Sequence, residues 1–120
     1  MKLQVYVDGS GMPKSIYGYY IKQSGKVRSF KGQALTNHQA ELLAFIEVLK
    51  DPAIQQAEEV IIYSDSKNAV NWINHDFAIN EEHIRELCLQ VWDLMTKCMS
   101  KPKIEWIPRK KNPAGRMLGS

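Results

Sequence analysis

Polar and apolar residues alternate from Leu3 to Asp8, with Leu3, Val5 and Val7 on one side and Gln4, Tyr6 and Asp8 on the other. That period of two predicts a strand covered on one face. A turn cluster, Gly9-Ser10-Gly11-Met12-Pro13, follows, and Ser15 to Lys22 is rich in aromatic and β-branched residues. Gln23-Ser24-Gly25 is a second turn before Lys26 to Lys31, so the first three strands read as an antiparallel meander. The period then changes. Leu42, Phe45, Ile46 and Leu49 recur at helical spacing, opened by a Thr36/Gln39 capping box and closed at Asp51-Pro52. Val60 to Tyr63 is a buried strand, and Ser66 to Asn74 a short helix. A long helix runs from an Asn80 cap to about Ser100, burying Ile84, Leu87, Cys88, Val91, Met95 and Cys98. Pro102 stops it, Ile104 to Ile107 is a fifth strand, and Asn112 is placed to cap a last helical turn.

The order β-β-β-α-β-α-α-β-α predicts an α/β fold: a mixed five-stranded sheet, an antiparallel meander plus parallel strands, flanked by helices in one domain over 1–120. The helix from Thr36 crosses back to the sheet, which lets the Val60 strand lie parallel beside the first. Asp8 and Asp65 would then end neighbouring strands at one edge, where ligands of such sheets bind. Glu41 borders the buried stripe of the crossover helix and can reach the same edge. Singly, each acid has an ordinary role, as turn residue, helix acid and helix cap respectively. Together they form a hard-oxygen set suited to Mg²⁺ or Mn²⁺ and to phosphoryl chemistry.

Composition changes the picture little. Apolar residues are 44% and charged residues 24% of the 120, an ordinary globular balance. Cys88 and Cys98 lie in one predicted helix, about 15 Å apart in rise, too far for a disulfide. Reduced cysteines and the lack of a long apolar run predict a soluble, cytoplasmic protein with no membrane partner. Charge matters through its distribution. Lys97, Lys101, Lys103, Arg109, Lys110, Lys111 and Arg116 face only Glu105, an edge suited to a phosphate backbone. His38, His75 and His83 read as surface or capping residues, and Trp72, Trp92 and Trp106 as core.

Three segments carry a resemblance: Asp8-Gly9-Ser10, Thr36-Asn37 with Ala40-Glu41-Leu42-Leu43-Ala44, and Ser64-Asp65-Ser66 with Val70-Asn71-Trp72-Ile73. In this order the chain resembles ribonuclease H of type 1. The resemblance implies a ribonuclease H-like fold and an endonuclease that cuts the RNA strand of RNA–DNA hybrids. It implies divalent ions held by four acids, of which Asp8, Glu41 and Asp65 match the first three. It also implies hybrid contacts for Gly11, Asn37 and Lys67, beside the phosphate contacts expected of Arg109, Lys110, Lys111 and Arg116.

The fourth acid is missing. Four residues after Asn112, where the family has Asp, stands Arg116, and the chain's end at Ser120 leaves a short final helix. The loop before it reads Pro108-Arg109-Lys110-Lys111, without the His many members carry, and the basic handle between the middle helices is absent. A guanidinium about 5 Å from a divalent ion, at an effective dielectric near 20, is repelled by about 6–7 kcal/mol before screening. The expectation is therefore two ions with the second weakly held. The alternative is a catalytically impaired module that binds hybrids or other nucleic acid without cutting.

Overall fold

A computed structural model describes residues 1–118. Its strands are β1 (Lys2–Ser10), β2 (Ile16–Ile21), β3 (Lys26–Lys31), β4 (Glu59–Ser64) and β5 (Lys103–Trp106), in the order β3-β2-β1-β4-β5. The meander is antiparallel, and β4 and β5 are parallel to β1 and β4. The helices are α1 (Asn37–Lys50), α2 (Pro52–Gln56), α3 (Lys67–Ile73), α4 (Glu82–Thr96) and α5 (Pro113–Met117), with a 3₁₀ turn over Arg109–Lys111. This is the predicted mixed α/β sheet. Gly119 and Ser120, the end of the predicted final helix, lie outside the described residues.

Alternation in β1 does what the pattern requires. Leu3, Val5 and Val7 are buried in the core with Leu42, Phe45, Leu49, Ile62 and Val91. The opposite face carries a row of stacked rings, with Tyr6 centred 6.1 Å from Tyr20 and 5.1 Å from Tyr63. Helix α1 starts with the full capping box, Gln39 N–H to Thr36 Oγ1 at 3.1 Å and Thr36 N–H to Gln39 Oε1 at 2.9 Å. It also lies unusually close to β1. A Cβ on Gly9 would stand 2.4 Å from the Ala40 carbonyl carbon, so only glycine allows this approach.

Several details depart from the sequence reading. Asp51-Pro52 ends α1 but also begins α2, because Pro is tolerated in a helix's first turn and Asp51 caps the Ala53 N–H at 2.9 Å. The Asp51 carboxylate is buried and also accepts from Tyr19 Oη at 2.7 Å and Lys26 Nζ at 2.8 Å. Burial pushes its pKa up, but these partners outweigh burial and hold it below the ordinary value. Helix α4 is capped at Glu81 rather than Asn80, with no side-chain cap bond, and ends at Thr96. Trp72 and Trp92 pack against the core as expected, whereas Trp106 is exposed, because it sits at the outer end of an edge strand.

Candidate active site

The parallel register of β1 and β4 brings two acids together. Tyr6 pairs with Tyr63, and Asp8 and Asp65 each lie two residues further along. Glu41 enters from α1. All three line one open cleft of about 470 Å³, with Gly9, Ser10, Asn37, Arg109, Lys110, Asn112, Gly115 and Arg116. Its walls have opposite sign, acids from β1, α1 and the end of β4 against cations from the 3₁₀ turn and α5.

Uncharged donors hold two of the acids. Ser66 Oγ donates to Glu41 Oε1 at 2.8 Å while accepting from Ala69 N–H at the start of α3. Asn112 Nδ2 donates to Asp65 Oδ2 at 3.0 Å and to the Val7 carbonyl at 2.9 Å, and its Oδ1 caps α5 at Ala114 N–H, 3.1 Å away. Trp106 Nε1 donates to the Asp65 carbonyl at 3.2 Å. Helix α5 passes beside the Asp8 side chain, with room at Gly115 for a Cβ in ordinary contact, 3.4 Å from Asp8 Oδ2.

Burial first, and neighbouring negative charge second, mark Glu41. Burial pushes its pKa up to about 7, with Asp65 and Asp8 adding to the rise and the Ser66 hydrogen bond and Arg109 opposing it. Partly desolvated carboxylates that repel one another are what a divalent cation relieves.

The remaining predicted residues divide. Asn37, Arg109, Lys110 and Arg116 line the cleft, while Gly11, Lys67 and Lys111 do not. Gly11 instead supports Asn37: its N–H donates to Asn37 Oδ1 at 2.7 Å, and a Cβ there would stand 2.6 Å from the Asn37 nitrogen. Lys67 lies over the Trp106 ring at 4.7 Å. His75 is exposed and stacks on Trp92, whereas His38 is half-buried, edge-on to Trp72 and with its Nε2 3.1 Å from Asn68 Nδ2.

A family model for RNase H matches residues 1–110. The chain belongs to the RNase H family. The match ends at Lys110, before the segment that carries Arg116. The Enterococcus faecalis protein named Putative hydrolase EbsB is 31% identical over 123 residues, covering 97% of this chain and 90% of that one. The N-terminal RNase H domain of Rv2228c from Mycobacterium tuberculosis superposes with a TM-score of 0.84 at 24% identity, over 98% of this chain and 91% of that one. RNase H1 of Halobacterium salinarum gives 0.83 at 20% identity, over 98% and 94%. LC11-RNase H1, solved in complex with an RNA/DNA hybrid, gives 0.84 at 21% identity, over 97% and 92%. At such identities the three structures establish the shared fold.

The RNase H family generally uses divalent ions, and the donor set here suits them in kind: three carboxylates around one cleft, with Glu41 charge-stressed. Among the described residues, however, no three such side chains close tightly enough to enclose an ion by themselves. Asn112 is a site residue that sequence reasoning placed as a helix cap and as the first residue of the altered last motif, without a role toward the acids. Its capping was visible in Asn112-Pro113, and its grip on Asp65 was not.

Proposed function

We propose that this RNase H-family chain is a metal-dependent endonuclease that hydrolyses the RNA strand of RNA–DNA hybrids. The observation that carries this is the convergence of Asp8, Glu41 and Asp65 in one cleft whose other wall is cationic. The LC11-RNase H1 complex supports the choice of substrate. Asp8, Glu41 and Asp65 would hold the ion, which when bound supplies Lewis-acid polarisation of the phosphate and a water of lowered pKa. The protein's own contribution is placement. Asn112 and Ser66 fix Asp65 and Glu41 before substrate arrives. Arg109 and Lys110 meet phosphates, giving an affinity that falls with salt. Asn37, exposed on the cleft wall and steadied by Gly11, is placed to contact a 2′-hydroxyl, the group that tells RNA from DNA.

The test is cleavage of a labelled hybrid with Mg²⁺ and with Mn²⁺, beside duplex DNA, duplex RNA and single strands. The RNA strand of the hybrid should be cut, and Asp8→Asn should abolish cutting with the fold intact. Near-wild-type cutting by Asp8→Asn would overturn the site. A second reading, a module that binds hybrids without cutting, is favoured by one observation, the presence of Arg116 in the cleft. Tight hybrid binding with no cleavage under either metal would establish that reading instead.

A further inference from the structure

We infer that Arg116 is a phosphate-gripping residue, a cation built into the protein that meets the substrate backbone whether or not metal is bound. The inference rests on the hybrid reading above. Asp8, Glu41 and Asp65 share one open space with Arg109, Lys110 and Arg116. Yet among the described residues none of these three cations is within salt-bridge distance of a carboxylate. Opposite charges in one cleft would ordinarily collapse onto each other. Here Asp65 is held by the Asn112 amide and Glu41 by the Ser66 hydroxyl, both uncharged donors, so two acids stay on their own side. A cleft kept in this state suits a ligand that offers charge of both signs, a phosphodiester carried in with a divalent cation.

Arg116 differs from the neighbouring Arg109 and Lys110 in how it is mounted. Those two sit on an exposed 3₁₀ turn with no side-chain cap. Arg116 stands on α5, which is fastened at one end by the buried Asn112 cap, itself bonded to β1 and to Asp65. At the other end Leu118 is buried against Gly18 of β2. Gly115, the preceding residue, lines the same cleft as Asp8. The guanidinium thus starts from a fixed base beside the acids, and its planar fork can take two phosphate oxygens at once. Its exposure leaves the head accessible to a ligand.

The experiment measures binding of a fluorescent RNA–DNA hybrid in EDTA, with no cleavage possible, across a range of salt. Arg116→Ala should weaken binding about 3- to 10-fold at low salt and reduce the salt slope by about one. Arg116→Lys should keep the slope but recover only part of the affinity, since an ammonium lacks the two-pronged geometry. An unchanged affinity and slope in Arg116→Ala, with circular dichroism confirming the fold, would overturn the inference. Cleavage by the wild type with Mg²⁺ or Mn²⁺ is read in parallel. Cleavage with an unmoved Arg116→Ala slope sinks the Arg116 assignment alone, whereas neither cleavage nor hybrid binding by the wild type sinks the reading of the whole site.

Discussion

Asn112 reaches Asp65 Oδ2 at 3.0 Å with the same amide nitrogen that meets the Val7 carbonyl at 2.9 Å. One buried side chain therefore ties the end of β1, the acid after β4 and the first turn of α5. Asn112→Ala removes one buried hydrogen bond, one part-buried hydrogen bond and a helix cap, for an expected loss of about 2–4 kcal/mol in stability. Asp65 is then free to rotate, so cleavage should fall at least about tenfold even at temperatures where the variant is folded. Denaturant unfolding and hybrid cleavage on the same preparation check both. Unchanged stability would mean the amide is dispensable.

Glu41 gives a pH signature in the metal-free protein. Its pKa of about 7 in the fold lies above the ordinary 4.5, chiefly through burial. Between those values the folded chain binds more protons than the unfolded chain, so stability falls as pH rises. The contribution is fully present below about pH 4.5 and lost by the time pH passes about 7. Glu41→Gln abolishes this titration and still accepts from Ser66. In EDTA it should be more stable than the wild type at pH 8, with a flatter profile across the window. Urea unfolding at several pH values measures this, and an unaltered slope would contradict it.

The basic run separates into residues that face the cleft and one that does not. Lys110 lines it and Lys111 does not. Lys110→Ala should therefore weaken hybrid binding across sequences and lower the salt slope by about one, with Lys111→Ala leaving it nearly unchanged. Equal losses in both variants would mean that the edge acts as a diffuse charge.

Much of this was readable because the signals were local. The alternation that leads to Asp8 and the Thr36/Gln39 box are complete within a few residues, although β1 runs on to Ser10 rather than ending at Asp8, because Gly9 and Ser10 still pair with Tyr17 and Ile16. The place of β4 beside β1 followed from where a crossover helix must return the chain. What stayed hidden depends on distance in sequence. Asn112 meets Val7 across 105 positions, and the Asp51 cluster joins Tyr19, Lys26 and Ala53 from three separate elements. Trp106 was misplaced because its hydrophobicity says nothing of its being at a strand end on the sheet's edge. Helix α2 was missed because Pro52, which ends α1, is also a good first residue for the next helix.

Arg116→Asp should move two quantities in opposite directions. In the wild type a fixed positive charge shares the cleft with the three acids and repels a cation placed among them. The substitution removes that charge and supplies an oxygen donor on the same short helix, next to Gly115, which lines the cleft with Asp8. Mn²⁺ and Mg²⁺ should bind more tightly by about tenfold or more, with Mn²⁺ remaining the tighter of the two along the divalent series. Hybrid binding in EDTA should weaken, since a phosphate contact becomes a repulsion. Calorimetric metal titration and hybrid anisotropy, run on one preparation, read the two separately. Metal affinity that did not change would place Arg116 outside the field of the acids. Metal affinity that rose while hybrid binding stayed constant would keep its electrostatic effect on the ion and remove its hold on the phosphate.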